Sequence, residues 1–94
     1  MTGVQTCALP IWDEVGKALA EKMQTQLVSQ LPNARSLANK GDYYILKECG
    51  VSGVIVECGY LTNEEEEALL STGVYQKKVA YAIVCGIVKF FEVQ

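Results

Sequence analysis

Val54-Ile55-Val56-Glu57-Cys58-Gly59-Tyr60-Leu61-Thr62-Asn63 is the stretch from which the fold can be read. Three β-branched residues in succession, with Gly53 before them and Gly59 after, predict a strand over residues 53–57. Their apolar character is continuous rather than alternating, the pattern of a strand covered on both faces in an α/β sheet. Asn63 then opens a helix. Its side chain is suited to the N-cap, Glu66 three residues later completes a capping-box-like pattern, and Glu64, Glu65, Glu66 and Glu67 lie at the positive end of the helix dipole. The run of four glutamates is thereby explained as helix-start chemistry, with no need of a metal.

Working upstream, Tyr43, Tyr44, Ile45 and Leu46 form a second aromatic and β-branched run, which predicts another strand. The linker over residues 47–52 is too short for a parallel crossover, so two neighbouring strands here would pair antiparallel. Further upstream, Val15, Leu19, Met23, Leu27 and Leu31 recur every four positions, with Ala20 and Val28 widening the stripe, and Pro32 stops the pattern. This is an amphipathic helix with Asp13 and Glu14 at its acidic start. Downstream, residues 74–91 form a helix with Val79, Ile83, Ile87 and Phe90 on one face and Ala80, Val84, Val88 and Phe91 beside them. A helix so apolar is expected to be largely covered. The order helix, strand, strand, helix, helix gives an α/β class, the edge of a mixed sheet with two short strands and about three helices.

At 94 residues the chain has room for one domain at most and a small core. Half the residues are hydrophobic and a fifth are charged, which is globular composition. A net charge of -3, with no basic stripe, argues against nucleic acid as a partner. There is no histidine. Ser-His-Asp and Cys-His catalysis and every zinc site built with imidazole are therefore beyond this chain alone. Cys7, Cys49, Cys58 and Cys85 contain no C-x-x-C pair and read as buried free thiols. The apolar run over residues 79–88 is half the length that a membrane span requires, and the first twelve residues lack a basic signal-peptide start. The chain reads as soluble, without stable membrane insertion.

Residues 1–12 are set apart from the rest. Met1-Thr-Gly-Val-Gln-Thr-Cys-Ala-Leu-Pro-Ile11 has neither helical nor strand periodicity and joins abruptly to the patterned helix. It resembles the translation of a widely used short-read sequencing adaptor, and is expected to be a non-native arm, leaving residues 13–94 as the natural sequence.

Glu57 is the residue with chemical promise. A carboxylate at the end of an apolar strand lies where α/β sheets hold ligands, although strand ends also emerge into water for no functional reason. The longer stretch Tyr43-Tyr-Ile-Leu-Lys-Glu-Cys-Gly-Val-Ser-Gly-Val-Ile-Val-Glu-Cys-Gly-Tyr-Leu-Thr-Asn-Glu-Glu-Glu-Glu-Ala-Leu-Leu70, followed by Tyr75-Gln76, resembles the C-terminal signature of the zinc-dependent N-acetylmuramoyl-L-alanine amidases, the type 3 peptidoglycan amidases. The likeness extends over residues 15–91, and the loop Asn33-Ala-Arg-Ser36 with Tyr43-Tyr44 is most similar to the spore-germination branch.

That resemblance implies the C-terminal part of a larger amidase domain acting on peptidoglycan, outside the cytoplasm in a bacterial cell wall or spore cortex. The reaction implied is hydrolysis of the amide between N-acetylmuramic acid and L-alanine. It implies a zinc ion held by two histidines and a glutamate, which activates a water, and it places Glu57 as the catalytic base, with Gly59 turning the backbone past the site and Asn63 capping the next helix. The family's metal ligands lie upstream of this region. No metal ligand is therefore assigned in this chain, and by itself it is expected to be inactive. Two other readings are a non-catalytic cell-wall or protein-binding module with an aromatic surface formed by Tyr43, Tyr44, Tyr60 and Tyr75, and a pairing protein that uses the apolar last helix as an interface.

Overall fold

The computed structural model describes residues 7–10, 14–35, 44, 48 and 51–92. In chain order the elements are β1 (Cys7–Pro10), α1 (Glu14–Gln30), β2 (Val54–Glu57), α2 (Glu64–Leu70) and α3 (Gly73–Glu92). The α/β class holds: among the described elements, three helices pack with a two-stranded sheet.

The partner of β2 differs from the expectation. Of residues 43–46 only Tyr44 is described, and it is helical, as is Glu48. The strand that pairs with β2 is β1, from the segment set aside as foreign. It runs antiparallel, with Cys7 opposite Glu57 and Pro10 opposite Val54. The physical reason is that strand pairing is made by backbone N–H and C=O groups. An open edge accepts an extended segment whatever its side-chain periodicity, whereas the strand preference of Tyr and Ile depends on the surface offered to them. Pro10, which has no N–H to give, sits at the end of the ladder.

The core lies between α1 and α3. Ala20, Met23, Leu27 and Leu31 from the first helix and its exit meet Tyr75, Val79 and Ala82 from the last, and Val54, Val56 and Cys58 close the cluster from the sheet. The buried stripe of α1 is rotated from the predicted one: Gly16 and Gln24 join it, while Val15 and Val28 are exposed. In α3 the rotation is larger. Tyr75, Val79, Ala82, Gly86 and Phe90 are buried, at spacings of four and three residues, and the face includes the small residues Ala82 and Gly86 in place of Ile83 and Ile87. The cause is close approach. A methyl group on Gly86 would stand 2.7 Å from Met23 Cα, so the two helices cross with almost no side chain between them.

This crossing leaves much of the apolar surface of α3 outside. Val84, Val88 and Phe91 are exposed, Phe91 by 67%, and Ile87 is 40% exposed. The expectation that α3 is largely covered is thus not met within this chain. No helix among the described residues is long and apolar enough to cross a membrane.

Candidate functional site

Glu57 is the last residue of β2 and is half-buried. Because strand side chains alternate, and Val54, Val56 and Cys58 pack against the helical core, Ile55 and Glu57 project from the opposite face of the sheet. The apolar strand thus carries its one carboxylate away from the core that anchors it.

The chain turns immediately after Glu57. Gly59 has φ +153°, a conformation that side chains rarely adopt, and a Cβ there would touch Glu66 Cβ and Leu70 Cδ1, both at 3.4 Å. The backbone conformation of the turn, rather than lack of space, is what calls for glycine. Beyond it, Asn63 caps α2 as predicted, its side chain accepting from the Glu66 N–H at 3.1 Å.

The carboxylate of Glu66 does something the sequence reading did not foresee. In a capping box it would return to the N–H of Asn63. That N–H instead donates to the carbonyl of Tyr60, and Glu66 Oε1 accepts from the N–H of Tyr60 at 3.0 Å. Glu66 is only 4% exposed, and its Oε2 accepts from Asn33 Nδ2 at 3.3 Å. The same Asn33 Nδ2 donates to Tyr75 Oη at 2.9 Å, and Tyr75 Oη donates to the carbonyl of Cys58 at 2.7 Å. Asn33, Glu66 and Tyr75, all buried, form one polar network directly behind the turn that follows Glu57. One signal of it was present in the sequence: Leu69 and Leu70 are three and four residues after Glu66, and share its helix face.

Beside this network, on the helix side of β2, an open apolar groove of about 230 Å³ is lined by Cys58, Leu70, Tyr75, Val79, Ala80 and Ile83. Burial pushes the Cys58 thiol above its ordinary pKa, because the thiolate would lose hydration there.

The four tyrosines named for a binding surface do not share one. Tyr75 is buried, Tyr60 half-buried, Tyr44 exposed, and Tyr43 lies outside the described residues. Zinc does not fit the donor set at hand. The chain has no histidine, and among the described residues no three of Cys, Asp and Glu come together as a metal site.

Comparison with known proteins identifies the setting of this turn. The family model Amidase_3, N-acetylmuramoyl-L-alanine amidase, matches residues 12–89. The chain is 33% identical over 79 residues to the uncharacterized protein YqiI of Bacillus subtilis, covering 84% of this chain and 38% of that protein. It is 32% identical over 74 residues to the germination-specific N-acetylmuramoyl-L-alanine amidase of the same organism, covering 78% of this chain and 31% of that one. Among solved structures, the CwlD amidase of Clostridioides difficile, in complex with the GerS lipoprotein, superposes with a TM-score of 0.84 at 33% identity, over 95% of this chain and 47% of that one. The chain thus spans less than half the length of each of these relatives.

Proposed function

The chain belongs to the N-acetylmuramoyl-L-alanine amidase family, and from that premise we propose that residues 13–94 are the C-terminal part of an amidase domain and that residues 1–12 are a non-native, adaptor-derived arm. In the whole domain the substrate is peptidoglycan, and the bond cleaved is the amide between the lactyl group of N-acetylmuramic acid and L-alanine. The place of action is outside the cytoplasm, in the cell wall or spore cortex, and likeness to a germination-specific amidase supports the latter.

Glu57 is the residue of this chain that carries chemistry. Its carboxylate takes a proton from the attacking water and passes it to the departing alanine nitrogen. The observation that supports this role is its placement: a carboxylate at the end of an apolar strand, projecting away from the core, followed at once by a braced turn. Amidases of this family are generally zinc-dependent. Since the donors here do not fit zinc, a complete ligand set has to be contributed by the upstream part of the domain, and this chain alone is inactive.

The exposed apolar strip of α3 supports the same reading, since Val84, Val88 and Phe91 are surface that a larger domain would cover. The test is the genomic sequence upstream of the Asp13 codon. In-frame codons for a GHGG-like segment and a later S-x-H segment are expected, with nothing matching residues 1–11. A natural start encoding residues 1–12 in the genome would overturn the reading.

A further inference from the structure

We infer that Tyr75, Glu66 and Asn33 are positioning residues for Glu57: they clamp the turn after β2 from the side of the core and so fix where the carboxylate stands. This inference rests on the reading of Glu57 as the base.

Two backbone groups of the turn lie outside the regular hydrogen-bonding ladders. The ladder of β2 ends at Glu57 and α2 begins at Glu64, so the Cys58 carbonyl and the Tyr60 N–H belong to neither element. Each is met by a buried side chain from a different helix. Tyr75 of α3 donates to Cys58 O at 2.7 Å, and Glu66 of α2 accepts from Tyr60 N at 3.0 Å. Asn33, in the turn after α1, links the two through one amide nitrogen. Between the two clamped groups stands Gly59, whose φ of +153° is a conformation that side chains rarely adopt. Side chains from two helices thus grip the peptide groups that directly follow Glu57, and Asn33 ties those side chains together.

The chemistry of the clamp is more costly than packing requires. Burying a carboxylate, an amide and a phenol in so small a core is unfavourable unless each is hydrogen-bonded, and an apolar trio of similar volume would pack there at lower cost. What such a trio could not do is hold a carbonyl and an N–H at fixed positions. A general base depends on that fixity, because misplacement by about 1 Å can lower a rate by roughly a hundredfold. Helix capping and dipole complementarity do not account for Glu66, since the cap is made by Asn63 and the other three glutamates of the run remain exposed.

The experiment has two arms. In this chain, amide hydrogen exchange is followed by NMR for wild type, Tyr75→Phe, Glu66→Ala and Glu66→Gln. Glu66→Ala is expected to speed exchange at Tyr60 by roughly tenfold, the size of one lost hydrogen bond, while Ala82 in the core is unaffected. Glu66→Gln, which keeps an acceptor, restores most of the protection. An unchanged Tyr60 rate in Glu66→Ala overturns the clamp. So does a loss spread evenly over α1 and α3 in both Glu66→Ala and Tyr75→Phe, because the network would then be ordinary core.

In the intact parent domain, Tyr75→Phe and Glu66→Ala are expected to lower kcat by roughly ten- to a hundredfold with KM nearly unchanged, and Glu66→Gln to recover most of it. Glu57→Gln is measured beside them. If Glu57→Gln abolishes turnover while Tyr75→Phe and Glu66→Ala keep the wild-type kcat, the positioning role is wrong and the base assignment stands. If Glu57→Gln itself is near normal, the base assignment fails and the positioning role fails with it.

Discussion

Replacing Gly86 with alanine is predicted to damage this fold, although by helix preference alone it would help. In an exposed helix interior, Gly→Ala is worth about 1 kcal/mol in favour of the helix. Here the new methyl carbon would stand 2.7 Å from Met23 Cα, 3.2 Å from Met23 Cβ and 3.3 Å from Met23 N. Carbon atoms rest at about 3.5 to 4.0 Å, so α1 would have to withdraw by about 1 Å. Two of the three obstructing atoms are backbone, which cannot rotate aside. Overpacking of this kind costs about 1 to 3 kcal/mol. Set against the gain in preference, the net loss reaches about 2 kcal/mol at the upper end of that range and about zero at the lower, and in a chain of this length each kcal/mol lowers Tm by about 4 to 8 °C.

Gly73→Ala is the matched control. It lies at the start of the same helix, a Cβ there has nothing within 4 Å, and its φ is not positive. It is expected to leave Tm unchanged or to raise it slightly. Thermal unfolding followed by far-UV circular dichroism compares the two. The core is so small that the Gly86→Ala loss shows either as a lower Tm or as disappearance of the transition. If Gly86→Ala matches or exceeds Gly73→Ala in Tm, the close crossing of α1 and α3 is refuted.

Two further outcomes concern the thiols and the metal. Burial raises the Cys58 pKa in the folded chain, so the native state holds that proton more tightly than the unfolded one. The corresponding stability is complete below the unfolded thiol's pKa, about 8.5, and is lost as pH rises through the folded value. Denaturant unfolding above pH 8 should therefore fall more steeply in wild type than in Cys58→Ala, and equal slopes would contradict the burial. Zinc is expected to bind no better than to a generic acidic protein, because the chain has no histidine. Competition with a chelator, repeated with Cys49, Cys58 and Cys85 changed to serine, tests this; a one-to-one submicromolar site that survives those changes would contradict it.

What the sequence disclosed, and what it did not, follows the range of the interactions involved. The strand at β2, the N-cap at Asn63 and the extents of α1 and α3 were legible because each is set by residues within one or two turns. The buried faces of α1 and α3 were misjudged. Hydrophobic periodicity favours the largest side chains, whereas the buried faces also include Gly16, Ala20, Ala82 and Gly86, and at Gly86 the two backbones come close, against Met23. The partner of β2 is a segment with little strand preference of its own, which propensity along the sequence does not single out. Glu57 was found through its motif and its strand-end position. Glu66 was hidden within a run of identical residues. Asn33 and Tyr75 reach the site through contacts 17, 33 and 42 residues long in sequence, which no local pattern records.

The role of Glu57 as the base is tested most directly by Glu57→Gln in the intact domain, with zinc content and hydrolysis of a muramoyl-peptide substrate determined on the same preparation. Glutamine keeps the shape and hydrogen-bonding reach of the side chain while removing the basic site. Zinc content is expected to be unchanged and substrate binding nearly so, with turnover lower by about a hundred- to ten-thousandfold. Near-normal turnover, or a preparation emptied of zinc, would contradict that role and return Glu57 to a solvated residue at the end of a strand.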